Sequence, residues 1–144
     1  MENYVFTCGD INGIGPEIVV KTLNQIYNPS LHKIIFVCPQ NVFINVISRI
    51  KPKFKFNIVN KLQPGLLKSD EIAVFNFAKP RITPGKATKT SGSISYKSMK
   101  IAYELVAEGY DNAVITAPIS KEAINLAGVN YPGHTEMLAD WCGI

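Results

Sequence analysis

The chain has 144 residues, 47% of them hydrophobic and 18% charged, with a formal net charge of +4. That length can bury a real core, so the composition excludes a disordered tail, and no apolar run reaches the roughly 20 residues needed to span a bilayer. The start, Met1-Glu2-Asn3-Tyr4, lacks the basic and apolar regions of a secretion signal, and three scattered cysteines fit reduced thiols, so a cytoplasmic protein is expected.

In chain order, Tyr4 to Thr7 predicts a strand and Pro16 to Tyr27 a helix, with a glycine-rich turn between them. Pro16 suits the first helical turn, where its missing N–H costs nothing. Further strands are expected at Lys33 to Cys38, Phe54 to Val59, Glu71 to Phe75 and Ala113 to Ala117. Helices are expected at Asn41 to Ile50, Ser93 to Glu108, Lys121 to Ala127 and Glu136 to Cys142. This alternation predicts an α/β fold, a mainly parallel sheet flanked by helices. The longest irregular stretch runs from Lys79 to Gly92, a length that suits a functional loop.

The basic residues, among them Lys51, Lys53, Lys55, Lys61, Lys68, Lys79, Arg81, Lys86 and Lys89, are dispersed and form no nucleic-acid motif. Lys51-Pro-Lys-Phe-Lys-Phe56 interleaves charge and rings as a half-buried edge strand does, with Phe54 and Phe56 inward. No nucleic-acid or membrane partner is expected.

Two loops carry the chemistry. Gly9-Asp10-Ile11-Asn12-Gly13-Ile14-Gly15-Pro16-Glu17 joins a strand to a helix, yet it is not a dinucleotide fingerprint, because the third glycine would fall on Ile18. Gly85-Lys86 likewise fails the triphosphate-binding pattern, with Pro80 and Ala87 at the required positions. The second loop is Thr116-Ala117-Pro118-Ile119-Ser120-Lys121, where Pro118 ends strand pairing and Ser120 can cap a short helix closed by Gly128. Beyond it lies Gly133-His134-Thr135-Glu136, with Thr135 placed to cap the last helix. A helix N-terminus favours an anion, so His134 and Thr135 are candidate substrate-binding residues; capping and turn-filling alone also account for them. Lys121, at the carboxyl end of a strand, can neutralise a phosphate or a developing alkoxide, or can be a plain surface lysine. His32 reads as a solvated loop residue. Two histidines and three cysteines, Cys8, Cys38 and Cys142, show no zinc-ligand spacing, so no metal site is expected within the chain.

The order and spacing of Gly9-Asp10-x-x-Gly13-Ile14-Gly15-Pro16-Glu17, Ser91-Gly92-x-x-Ser95-Tyr96, Thr116-Ala117-Pro118-Ile119-x-Lys121, Ala127-Gly128 and Gly133-His134-Thr135-Glu136 resemble the 4-hydroxythreonine-4-phosphate dehydrogenase family. The resemblance implies a fold similar to isocitrate and isopropylmalate dehydrogenases. It also implies NAD-dependent oxidation, with decarboxylation, of 4-phosphohydroxy-L-threonine in pyridoxal 5′-phosphate biosynthesis. It implies substrate contacts at His134 and Thr135, a catalytic role for Lys121, and Asp10 ordering its loop or meeting the substrate amine. A homodimer is implied, with a divalent metal held by histidines beyond the Gly-His-Thr-Glu motif; no cofactor-binding residue is recognised. Residues 1–144 then read as the N-terminal portion of a two-domain dehydrogenase, binding substrate weakly and inactive alone. Two alternatives stand: a dehydrogenase of another phosphorylated hydroxy acid, such as a four-carbon sugar acid phosphate, and a non-catalytic phosphate-binding module.

Overall fold

The computed structural model describes residues 2–62 and 70–144, leaving Lys68 outside the described residues. Five strands form one sheet: β1 (Glu2–Thr7), β2 (His32–Val37), β3 (Phe56–Val59), β4 (Ile72–Phe75) and β5 (Ala113–Ile115). Their spatial order is β3-β4-β2-β1-β5 and every pairing is parallel, as the alternating pattern predicts. The helices are α1 (Gly15–Ile26), α2 (Gln40–Ile47), α3 (Lys89–Ala107), α4 (Lys121–Leu126) and α5 (His134–Cys142).

Side chains of the central strands alternate between two cores. Phe6, Ile34, Phe36, Ile72 and Val74 pack with Val19, Val20 and Leu23 of α1 and Val42, Phe43 and Val46 of α2. Val5, Ile35, Val37 and Ala73 face the other way, onto Ala102 and Leu105 of α3. A third cluster, Met99, Ile124 and Met137, joins α3 to α4 and α5. Gly92 allows that contact: a Cβ there would stand 1.8 Å from the Ala123 carbonyl oxygen. No helix among the described residues is long and apolar enough to cross a membrane.

Several boundaries depart from expectation for local reasons. The long helix starts at Lys89, four residues early, because Thr88 accepts from the Ser91 N–H while Ser91 Oγ accepts from the Thr88 N–H. Ser91 thus completes a cap from inside the helix. The last strand ends at Ile115 and lies at the sheet edge, where Ile115 is partly exposed, so the Ala113 to Ala117 run is not a buried strand. β3 is the other edge, with Phe54 and Phe56 packed inward as expected. His32 opens β2 instead of sitting in a loop, its Nδ1 accepting from the Asn28 N–H.

Asp111, just before β5, is buried with both carboxylate oxygens lacking a hydrogen-bond partner among the described residues. Burial raises its pKa to about 6. The folded state therefore favours the protonated acid, and the resulting stability is present below the ordinary carboxylate range and lost as pH rises through about 6. Asp111→Asn should raise stability at pH 7.5 by about 2 kcal/mol, after allowing for solvent screening, and change it little at pH 4. Urea unfolding at both pH values checks this; an equal effect at the two would refute the buried-acid account.

Candidate active site

β1 is the point where the winding changes direction. α1 carries the chain from β1 to β2 on one face, and α3 returns it across the other face to β5 on the opposite side of β1. In such sheets ligands bind in the crevice outside the carboxyl ends of the strands flanking that switch. Here those ends carry the two loops singled out in the sequence.

The loops are joined through backbone. The Asp10 N–H donates to the Pro118 carbonyl at 2.8 Å, and the Ala117 N–H donates to Thr7 Oγ1 at 2.9 Å. Gly9 has φ +64°, and a Cβ on it would lie 2.3 Å from the Pro118 oxygen. Gly15 is equally confined: its Cβ would lie 2.6 Å from the Cys8 carbonyl oxygen. These glycines serve close backbone approach, the reason such loops exclude other residues. Behind them, Ser98 of α3 accepts from the Cys8 N–H at 3.0 Å and donates to the Val37 carbonyl at 2.8 Å, fixing the ends of β1 and β2 together.

Of the candidate residues, Asp10 and His134 meet the Ala117-Pro118 peptide, Asp10 through its N–H to the Pro118 carbonyl and His134 through the Ala117 carbonyl. Asp10 Oδ1 accepts from the Asn12 N–H at 3.1 Å, so its carboxylate orders its own turn. Lys121 is the first residue of α4, after Ser120, whose hydroxyl caps the helix by accepting from the Ala123 N–H at 3.1 Å. Its stem runs past Gly133: a Cβ there would lie 3.9 Å from Lys121 Cε. α5 begins at His134 with Gly133 as N-cap and no side-chain cap, so Thr135 lies within the first turn and does not cap it. The first turn therefore has no side-chain cap; exposed Thr135 lies beside it, and the Glu136 carboxylate reaches back to 3.3 Å from where a Gly133 Cβ would stand.

His134 is the most unusual group of the set. Its Nε2 is buried and has no hydrogen-bond partner among the described residues. Burial lowers the ring's pKa from its ordinary value, opposed by the Ala117 carbonyl, which favours the charged form. The lowered pKa favours the neutral imidazole, with one ring nitrogen left without a partner among the described residues.

Asn12 does not stand out in the sequence, yet it organises the neighbouring loop. Buried to 5% exposure, it accepts from the Thr83 N–H at 2.7 Å and donates to the Lys86 carbonyl at 2.9 Å, while its own carbonyl accepts from the Gly85 N–H at 2.7 Å. One residue therefore ties the first glycine loop to the long irregular stretch. An asparagine between glycines is the sole signal, and it reads equally as a turn residue.

A parallel sheet with backbone-fused, glycine-lined loops and a half-buried histidine at its switch point is the arrangement of an α/β domain with a ligand-binding crevice. Comparison with known proteins narrows this further. The chain belongs to the family described as pyridoxal phosphate biosynthetic protein PdxA, whose model matches residues 30–144. It is 35% identical to a D-threonate 4-phosphate dehydrogenase of Salmonella typhimurium, over 92% of this chain and 42% of that protein. It is 30% identical to a 4-hydroxythreonine-4-phosphate dehydrogenase of Zymomonas mobilis, over 100% of this chain and 42% of that protein. The crystal structure of a 4-hydroxythreonine-4-phosphate dehydrogenase from Burkholderia phymatum superposes with a TM-score of 0.87 at 26% identity, covering 100% of this chain and 44% of that one. The isocitrate dehydrogenase-like fold is thus confirmed, and the chain spans less than half the length of the relatives it matches.

Proposed function

We propose that the full-length protein, a cytoplasmic homodimer, oxidises the secondary hydroxyl of 4-phosphohydroxy-L-threonine with NAD, and that the 3-oxo acid so formed loses carbon dioxide. The observation that supports this reading is His134 against the Ala117 carbonyl, with Lys121 beside Gly133 at the start of the same helix, in a member of this family. Bound NAD would accept the hydride from the carbinol carbon. The first turn of α5 and the Thr135 hydroxyl would hold anionic or hydroxylated parts of the substrate, and neutral His134 would hydrogen-bond its hydroxyl. Lys121, exposed at the start of α4, would stabilise the developing alkoxide as the hydroxyl proton passes to solvent. Among the described residues no three His, Cys, Asp or Glu side chains come together to hold a metal ion, so a metal-assisted step belongs to residues outside this set. As a fragment, the chain binds substrate weakly and does not turn over.

A second substrate is raised by the comparisons: a D-threonate 4-phosphate dehydrogenase matches this chain at 35% identity and the 4-hydroxythreonine-4-phosphate dehydrogenase of Geobacter metallireducens at 34%, so identity does not choose between them. The two substrates share the 4-phosphate and the oxidisable hydroxyl and differ in an amine or a hydroxyl at C2. Asp10, occupied by its own turn, supplies no evident partner for the amine. Initial rates of NADH formation by the full-length protein on each substrate decide between them. The proposed reading expects the higher kcat/KM for the amino acid. The reverse ratio would reassign the substrate, and no turnover of either would refute the dehydrogenase reading.

A further inference from the structure

Cys8 and Cys38 stand side by side at the carboxyl ends of β1 and β2. The two strands pair in parallel with Thr7 opposite Val37, so the next position on each is a cysteine. Both thiols point to the same face of the sheet, into the cluster that holds Phe6 and Phe36 two residues back on each strand. Both are fully buried. Burial, and then the neighbouring Cys8 thiol, push the Cys38 thiol well above its ordinary pKa, so in the closed structure it is a poor nucleophile.

Neighbouring strands run about 4.8 Å apart, inside the Cα separation of roughly 4.4–6.8 Å that a disulfide spans. The Cβ atoms of a disulfide lie about 3.8 Å apart, so closing the bond draws the two side-chain roots together by about 1 Å. The sheet decides which residue moves and where. Cys38 stays in the ladder, its N–H donating to the Phe75 carbonyl of β4 at 3.2 Å, whereas Cys8 has left it and donates to Ser98 Oγ. β1 lies between β2 and β5, so drawing Cys8 toward Cys38 draws the glycine loop away from Pro118. The bonds from the Asp10 N–H to the Pro118 carbonyl, 2.8 Å, and from the Ala117 N–H to Thr7 Oγ1, 2.9 Å, both cross that gap. Lengthening by about 1 Å takes either beyond hydrogen-bond reach.

From this placement we propose that Cys8 and Cys38 are a reversible redox pair, which hydrogen peroxide oxidises to a disulfide that withdraws the glycine loop from Pro118. One thiolate attacks the peroxide and breaks its O–O bond, giving a sulfenic acid, while the displaced hydroxide takes up the released thiol proton as water. The second sulfur attacks the sulfenic sulfur and expels its hydroxide, which leaves as water with the second thiol proton. The two thiols thus lose two electrons and the peroxide is reduced to two waters. Sealed sulfurs react only when the loop opens, so a ligand seated across the two loops slows the reaction. The consequence for turnover rests on the dehydrogenase reading; the disulfide and the loop movement do not.

The test treats the Cys142→Ser chain, which lacks the exposed thiol, with hydrogen peroxide. Peptide mass mapping should find a disulfide between Cys8 and Cys38, lighter by two hydrogens and reopened by dithiothreitol. The Asp10 amide should exchange with deuterium about tenfold faster or more in the oxidised chain. Two free thiols, a sulfinic acid in place of the disulfide, or unchanged exchange at Asp10 would overturn the proposal. In the full-length protein, oxidation should lower kcat/KM about tenfold or more and dithiothreitol should restore it. Cys38→Ala should abolish that sensitivity, and Cys8→Ala serves where Cys38→Ala does not fold. An equal loss in these variants, or none in the unaltered protein, would overturn the link to activity. Absence of turnover by the reduced full-length protein removes only the dehydrogenase reading, since the disulfide and the exchange at Asp10 are read in the 144-residue chain.

Discussion

Gly92→Ala should destabilise the chain by about 3 kcal/mol or more, although alanine is the better helix former. Propensity alone would favour the variant by about 1 kcal/mol in the body of α3. Sterics reverse the sign, because the added methyl would stand 1.8 Å from the Ala123 oxygen, 2.3 Å from its carbonyl carbon and 2.8 Å from the Ile124 nitrogen. All three are backbone atoms, so no rotamer change relieves the clash and α4 must move as a body. Gly128 supplies the contrast: it has φ +86° and nothing within 4 Å of an added methyl, so its alanine variant should lose only about 1 kcal/mol, from backbone conformation. Urea unfolding of both variants measures the difference. A neutral Gly92→Ala would mean that α3 and α4 do not touch in this way.

His134→Ala should lower kcat/KM of the full-length protein about 100-fold, mainly through KM, because the ring is assigned to holding the substrate. His134→Asn keeps one donor and one acceptor and should recover about tenfold of that loss. The pH dependence carries a definite sign. Burial lowers the ring's pKa, so the neutral form persists to below pH 6.5, and kcat/KM should fall only as the pH drops past that lowered value. That acidic limb should vanish in His134→Ala. In the 144-residue chain, NMR titration of His134 should show a midpoint under 6.5. Kinetics unchanged in His134→Ala, or a ring that titrates above its ordinary value, would remove the histidine from the site.

The sequence makes the sheet legible because burial on both faces leaves near-continuous apolar runs, as in Ile34 to Val37, which no solvent-facing element tolerates. Glycine loops after strands are equally legible, since Gly9 and Gly15 mark close approach whatever they approach. Their partner is not. That Gly9 and Gly15 press against the Pro118 carbonyl depends on β1 and β5 being neighbours, a fact of topology with no local signature. The start of α3 is hidden for a similar reason: nothing local marks Thr88 as the cap, which its reciprocal bonds with Ser91 and the Asn12 amide against its hydroxyl define only in the folded chain. His134 is visible through its motif, but its unpartnered nitrogen follows from burial beside Ala117, which spacing cannot encode.

The bond from the Ala117 N–H to Thr7 Oγ1 joins residues 110 positions apart. A ribosome building this protein releases Gly9 to Gly15 early, yet those residues have no counterpart to press against until the chain has grown past Pro118. Closing so long a loop is slow relative to forming α1 or the β1-β2 pair. The nascent polypeptide therefore carries a glycine loop without its counterpart until Pro118 has emerged, and a ligand present during translation can stabilise the loop pair only after β5 has docked.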